Sequence, residues 1–374
     1  MSPRVAALSL AIHGAGATEI GPVRKHNEDA VLLRGDLGLY VVADGAGGHN
    51  AGNVASALAT TSIANFFENT QNETESLPEY DTFGLSTGAR RLARAVQRAN
   101  RDIIDIAKSS MRHRGMGTTV VAVWARPEIG AIHIGHVGDS RCYRYRAGQL
   151  EQLTHDHSLY NDVLELEPDL PDAAMARLPK NVVTRALGME GVVRATVQSN
   201  ALVPGDRYLL CSDGLSSSLG ELDIAQALEG ASSPDEAVRA LIRRALEGHS
   251  EDNIAVLVLF CEVAASGRTQ TAPFPPPRPP TARPITRHPA PARLTEGSSP
   301  EIVIVGMEYE VDDPTGIHIV PPESATEGLL SAIDSFVGPM RARGPGKSPP
   351  MCTFCGTPLT DDGLICPVCN APQS

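Results

Sequence analysis

The chain has 374 residues, 44 Asp plus Glu against 32 Lys plus Arg, and a formal net charge of -12 at pH 7. That length allows roughly two to three domains with sizeable cores. The acid excess argues against a main partner that is a polyanion such as nucleic acid, and no apolar run approaches the ~18 to 20 residues that cross a bilayer.

In chain order, the start MSPRVAALSLAIHGAGA superficially resembles a short signal peptide, but its Ala/Leu alternation also suits an opening strand, the reading adopted here. LGLYVVA (37–43) is the next strand. Two helical stretches follow, 51–68 and 85–108. In the second, Leu85, Ala89, Leu92, Val96, Ala99, Ile103 and Ala107 form one apolar stripe, with Arg90, Arg91, Arg94, Arg98 and Arg101 off it as a solvated face. TTVVAVWA (118–125), AIHIGHV (131–137), RYLLCS (207–212) and IAVLVLF (254–260) read as strands. A helix over 233–247 is capped by Ser232 or Ser233 ahead of Pro234. Hairpin-length gaps between strands favour antiparallel sheets flanked by helices over a doubly wound fold.

The folded region is expected to span 4–263. Residues 271–300 hold ten of the 29 prolines with interspersed arginines, so 264–300 is expected to be an extended tether. In 301–348, EIVIVGMEYEV and GIHIV suggest a small hairpin and 324–336 a short helix. The last segment, 349–374, carries Cys352, Cys355, Cys366 and Cys369 as two C-x-x-C knuckles, with Gly356 and Asn370 after them. This is the spacing of a zinc ribbon holding one structural zinc through four thiolates, too short to fold without its metal; two disulfides are the alternative and would demand an oxidising compartment. Cys142, Cys211 and Cys261 stand alone among apolar neighbours and read as packing residues. Unpaired thiols fit a reducing compartment, so the expected location is cytoplasmic.

Four acids sit at strand ends: Asp44 after LYVVA, Asp139 after IHIGHVG, Asp213 after YLLCS, and Asp252 before IAVLVLF. One Asp-Gly is a common turn. Four such carboxylates at one sheet mouth would repel unless cations held them together, and oxygen-only ligands suit Mn or Mg. A glycine after the acid lets its carbonyl approach the same ion. The residues alone therefore suggest a two-metal hydrolytic site.

The strings GPVRKHNED (21–29), VVADGAGGHNAG (41–52), GMGTT (115–119), GHVGDSR (135–141), HDHSL (155–159), VVTRALG (182–188), LLCSDGL (209–215) and EDNIAVLV (251–258) occur in order. Together they resemble the metal-dependent protein phosphatases of type 2C, in their bacterial Ser/Thr branch. The resemblance implies an α+β fold, a four-layer α-β-β-α sandwich of two antiparallel sheets flanked by helices. It implies hydrolysis of phosphoserine and phosphothreonine in proteins, opposing a Ser/Thr kinase, by a monomer with two Mn or Mg ions and a place for a third. By the same resemblance Asp44 bridges two ions and the Gly45 carbonyl is a further ligand. Asp213 and Asp252 complete the first ion's shell, and Asp139 shares the third ion with Asp213. Glu28 holds metal-bound waters, supported by Asp29, and Arg24 binds phosphate.

Ala46 stands where many members carry His or Met, so no imidazole acid follows the Asp-Gly pair. His49 could substitute in part, though helix entry or packing is its simpler role, and Asn53 replaces an acid common in the family. Residues 159–181, with Glu165, Glu167, Asp169 and Asp172, correspond to the variable flap beside the cleft and suit a basic phosphopeptide. Two other readings remain: a pseudophosphatase that binds phosphopeptides without turnover, and a scaffold that recruits partners through the zinc ribbon.

Overall fold

A computed structural model describes residues 9–47, 51–70, 85–179, 181–264, 303–304 and 318–319. It opens with strands β1 (Leu10–Glu19), β2 (Asp29–Arg34) and β3 (Leu39–Ala46). Helices α1 (Ala51–Asn69) and α2 (Thr87–Ser109) come next. The strands β4 (Gly117–Thr118), β5 (Val120–Arg126), β6 (Ala131–Val137), β7 (Arg141–Arg146) and β8 (Gln149–Gln152) follow. After α3 (Leu159–Leu166) and α4 (Asp172–Met175) come β9 (Val182–Val183), β10 (Thr196–Ala201) and β11 (Arg207–Cys211). Then come α5 (Asp213–Ser216), α6 (Glu221–Gly230), α7 (Pro234–Glu247) and β12 (Ile254–Val263).

Two antiparallel sheets result, ordered β1-β12-β11-β7-β8 and β10-β6-β5-β3-β2. Alternation along the strands sorts the core into three layers. In β3, Leu39, Val41 and Ala43 face α1 and α2, joining Ala55, Ile63, Leu92 and Val96. The intervening Tyr40 and Val42 face the other sheet, meeting Leu210, Leu257 and Leu259. In β12 the same two-residue period sends Ile254, Val256 and Val258 toward Ile224, Val238 and Leu241 of α6 and α7. The central strands are therefore buried on both faces, which is why they read as unbroken apolar runs. Helices cover each outer face, giving the expected two-sheet sandwich.

Local chemistry sets the helix starts. Ser86 Oγ accepts the Ala89 N–H at the start of α2, and Ser233 Oγ accepts the Glu236 N–H ahead of Pro234 in α7. The arginine face of α2 differs from expectation at one position. Arg91 is 7% exposed, donates to the Phe67 carbonyl at 3.0 Å, and lies 4.7 Å from the Phe67 ring centre and 4.9 Å from that of Trp124. Its planar cation caps the end of α1 against two aromatic rings, an outlet that a solvated face does not provide.

Residues 159–181 contain two short helices; Ser158 Oγ accepts the Asn161 N–H and starts α3. Near the C-terminus, β13 (Val303–Ile304) pairs parallel with β9, and β14 (His318–Ile319) pairs parallel with β13. Parallel neighbours cannot be joined by a tight turn, so these are not the two arms of the expected hairpin. The tether, the 324–336 helix and the four tail cysteines lie outside the described residues, as does His49. Among the described residues no helix is long and apolar enough to cross a membrane.

Candidate active site

The acids expected at strand ends meet along the seam between the sheets. Asp29 and Asp44 are direct cross-strand partners in β2 and β3 of one sheet. Asp213 follows β11 and Asp252 precedes β12, both in the other sheet, and Asp139 lies on the turn that crosses between them. Each backbone is pinned. The Asp44 carbonyl accepts Thr119 N–H at 2.8 Å and Thr118 Oγ1–H at 2.7 Å, while its N–H donates to Thr119 Oγ1 at 3.3 Å. Gly45 N–H donates to the Glu28 carbonyl at 3.1 Å. A Cβ on Gly45 would sit 2.2 Å from the Gly52 carbonyl oxygen and 2.6 Å from that of Glu28. Close approach of α1 to the Asp-Gly turn is thus a second reason for glycine there, beside access to its own carbonyl.

Arg24 and Glu28 reach the same place through Asn253. Asn253 Nδ2 donates to the Ile20 and His26 carbonyls at 2.8 and 3.0 Å, and its Oδ1 accepts the Glu28 N–H at 2.9 Å. One amide so folds the 20–28 loop onto the start of β12. Arg24 completes the closure by donating to Asp252 Oδ2 at 2.8 Å. Burial opposes its charge, but attraction to Asp252, Asp44 and Asp213 outweighs that and raises its pKa. All the expected site residues of 1–264 are brought together.

Burial, and after it the crowding of like charge, governs the electrostatics. Burial, then repulsion from Asp29, Asp213, Asp252 and Asp139, holds the Asp44 carboxyl well above the ordinary carboxylate range. Asp213 is raised in the same way, by burial and then by Asp252, Asp139 and Asp29. Burial lifts Asp29 to about 7 despite the hydrogen bond it accepts from Ser212 Oγ at 2.8 Å. Burial, then Asp156, lifts Asp139 to about 7. Asp29 Oδ1 and Asp213 Oδ1 are buried with no hydrogen-bond partner among the described residues. No three acidic, histidine or cysteine side chains among those residues converge as a finished ligand set. What the seam offers is a half-buried concentration of carboxylate oxygens with unused lone pairs, a donor set that fits hard divalent cations.

Several contributors were not singled out from sequence. Asn253 sits inside a recognised string yet reads as a neutral neighbour of Asp252; only the path of the 20–28 loop shows its use. Thr118, Thr119 and Ser212 act through single hydroxyls, which carry no pattern. The Cys142, Cys211 and Cys261 thiols are buried as expected, and burial pushes Cys211 and Cys261 up to about 12. Ala46, 2% exposed, packs in a small apolar cluster with Val183, Ala186 and Met189.

The sequence model described as Protein phosphatase 2C matches residues 23–251. The chain belongs to the protein phosphatase 2C family. It is 33% identical over 261 residues to the serine/threonine phosphatase stp of Listeria monocytogenes, covering 69% of this chain and 99% of that relative. It is 34% identical over 268 residues to the serine/threonine protein phosphatase PstP of Mycobacterium tuberculosis, covering 71% of this chain and 48% of that one. Among solved structures, the Mycobacterium tuberculosis phosphatase PstP/Ppp superposes with a TM-score of 0.58 at 32% identity, covering 67% of this chain and 99% of that chain. A PstP catalytic domain in complex with two manganese ions gives 0.55 at 33% identity, covering 68% and 99%. The protein phosphatase 2C match takes in Asp29, Asp44, Asp139 and Asp213, while β1, Asp252 and β12 lie just outside it.

Proposed function

We propose that the chain is a metal-dependent protein-serine/threonine phosphatase whose site is the carboxylate seam. The observation that carries this reading is the packing of Asp29, Asp44, Asp139, Asp213 and Asp252 into one half-buried cluster in which Asp29 Oδ1 and Asp213 Oδ1 are buried without a hydrogen-bond partner among the described residues. Asp44, the Gly45 carbonyl, Asp213 and Asp252 would hold two Mn or Mg ions, Asp213 and Asp252 serving the first of them. Asp139 and Asp213 would hold a third ion. When bound, such ions supply a water of lowered pKa and neutralise phosphoryl charge.

The chain's own groups do the rest. Arg24, fixed by Asp252 at the edge of the cluster, presents a guanidinium that stabilises charge on the phosphoryl oxygens. Glu28, 8% exposed, orients water beside Asp44. With Ala46 after the Asp-Gly pair, the leaving seryl or threonyl oxygen takes its proton from water or a nearby acid. Substrates are phosphorylated proteins, a Ser/Thr kinase among them, and the acids of the 159–181 region favour basic sequences around the phosphate. The four tail cysteines are read as one structural zinc site in a docking module, on a cytoplasmic monomer.

The test is hydrolysis of phosphothreonine peptides. EDTA should abolish it and added Mn should restore it, while Asp44→Asn and Asp213→Asn should each lower kcat/KM by about 10³ or more. Robust turnover without metal, or turnover surviving both substitutions, would sink the reading.

A further inference from the structure

Backbone pairing fixes the Asp44 turn against 117–119, through Gly45↔Thr118 and the 2.8 Å bond from Thr119 N–H to the Asp44 carbonyl, but it does not reach the Asp139 turn. The β3–β5 ladder stops at Val42↔Val121 and the β5–β6 ladder at Val120↔Val137, each two residues short of its acid. Thr119, immediately before β5, fills the interval. Its Oγ1 accepts the Asp44 N–H at 3.3 Å and shares a 2.7 Å hydrogen bond with Ser140 Oγ, next to Asp139. One hydroxyl has the capacity for both, having two lone pairs and a proton. Thr119 is 4% exposed and Ser140 1%, so water does not compete for these bonds. The Asp139 turn also rests on the Thr119 side chain: Gly138 has φ +101°, and a Cβ there would lie 2.6 Å from Thr119 Cβ. From the opposite side, His157 N–H donates to the Gly138 carbonyl at 3.0 Å and His157 Nδ1 accepts the Gly138 N–H at 3.1 Å.

We propose that Thr119 is a positioning residue whose hydroxyl fixes the Asp139 turn in register with Asp44 and so sets the affinity of the weaker cation position that Asp139 serves. The inference rests on the metal-centre reading above. Removing the hydroxyl leaves the Asp44 N–H and Ser140 Oγ without that partner and frees the Asp139 turn to move relative to Asp44, which stays tied to 118–119 through its carbonyl.

The experiment is Mn titration of the full chain, reading free Mn by electron paramagnetic resonance, in wild type, Thr119→Val, Thr119→Ser and Ser140→Ala. Thr119→Val keeps the shape and removes the hydroxyl, and the weaker class of Mn sites should lose about tenfold in affinity. Thr119→Ser keeps the hydroxyl and should restore that class to within about twofold of wild type. Ser140→Ala should weaken the same class while sparing the tighter one. A wild-type isotherm in Thr119→Val overturns the inference, as does Thr119→Ser impaired as badly as Thr119→Val. Should circular dichroism show Thr119→Val unfolded, Ser140→Ala decides alone, and an unchanged weaker class overturns the proposal. Wild-type protein that binds no Mn at all overturns the metal-centre reading itself, a result distinct from the others.

Discussion

Asp29 and Asp139, each raised to about 7, hold protons more tightly in the folded chain than an exposed aspartate does. Asp44 and Asp213 are likewise raised well above the ordinary carboxylate range. The linkage sign follows: native-state protons exceed those of the unfolded chain, so stability falls as pH rises. Protein held in chelator should therefore melt at a higher temperature near pH 5 than near pH 8, with the loss spread between about pH 4 and above 7. A flat or rising profile in a chelated thermal melt would contradict the electrostatics described here. Ala46 makes a second statement at this scale. With no imidazole beside the Asp-Gly pair to protonate the leaving oxygen, a general-acid contribution of about 10² is missing at that position. The kcat/KM for aryl phosphates should accordingly fall steeply as the leaving-group pKa rises, and a flat dependence would point to another acid. The acids themselves were legible in the sequence because each follows or precedes an apolar strand. Asn253 and Thr119 were not, because a neutral amide or hydroxyl acquires its role only from the loop placed against it.

Among the elements, those buried on both faces were the readable ones. β6 falls on the residues expected for it, and the helices α1, α2 and α7 begin or end within two residues of expectation. The elements that went unread are partly wet. β10, TVQSNA, is an edge strand of half-exposed polar residues, and β8, QLEQ, alternates exposed and half-buried. Their pairing is dictated by the neighbours they complete, not by their own composition. The contact of α1 with the Asp-Gly turn gives a prediction. Gly45→Ala drives a methyl into the carbonyls of Gly52 and Glu28, so α1 or the 20–28 loop must move. The expected destabilisation is about 3 kcal/mol or more, read from urea unfolding at fixed Mn. Ser233→Ala, which removes only a cap, should cost about 1 kcal/mol.

For the whole molecule, the proposed ligands come from both sheets, so cation binding would act as a clamp across the sandwich. Occupancy at 100 times Kd should add about 2.7 kcal/mol to stability, visible as a rise in Tm on adding Mn. Thiol labelling tests the division of the cysteines. Cys142, Cys211 and Cys261 should resist iodoacetamide in the native protein, because burial keeps them protonated. On the proposed zinc reading, the four tail thiols should react only after the metal is stripped with a chelator, and ready labelling without one would overturn that reading.

The first and last strands of the sandwich are hydrogen-bonded along their whole length, from Leu10 beside Val263 to Glu19 beside Ile254. On a ribosome, this pairing places the end of assembly at a defined point. A nascent chain that has emerged through α7 already displays Asp44, Asp139 and Asp213, yet β1 still waits without its neighbour. Asp252 and Asn253 arrive at the head of that missing strand, so until it appears Arg24 lacks its carboxylate and the 20–28 loop lacks the amide that ties it down, although Glu28 already meets Gly45 and Ser56. A polypeptide stalled short of residue 252 would thus pair Asp29 with Asp44 yet leave the proposed centre incomplete.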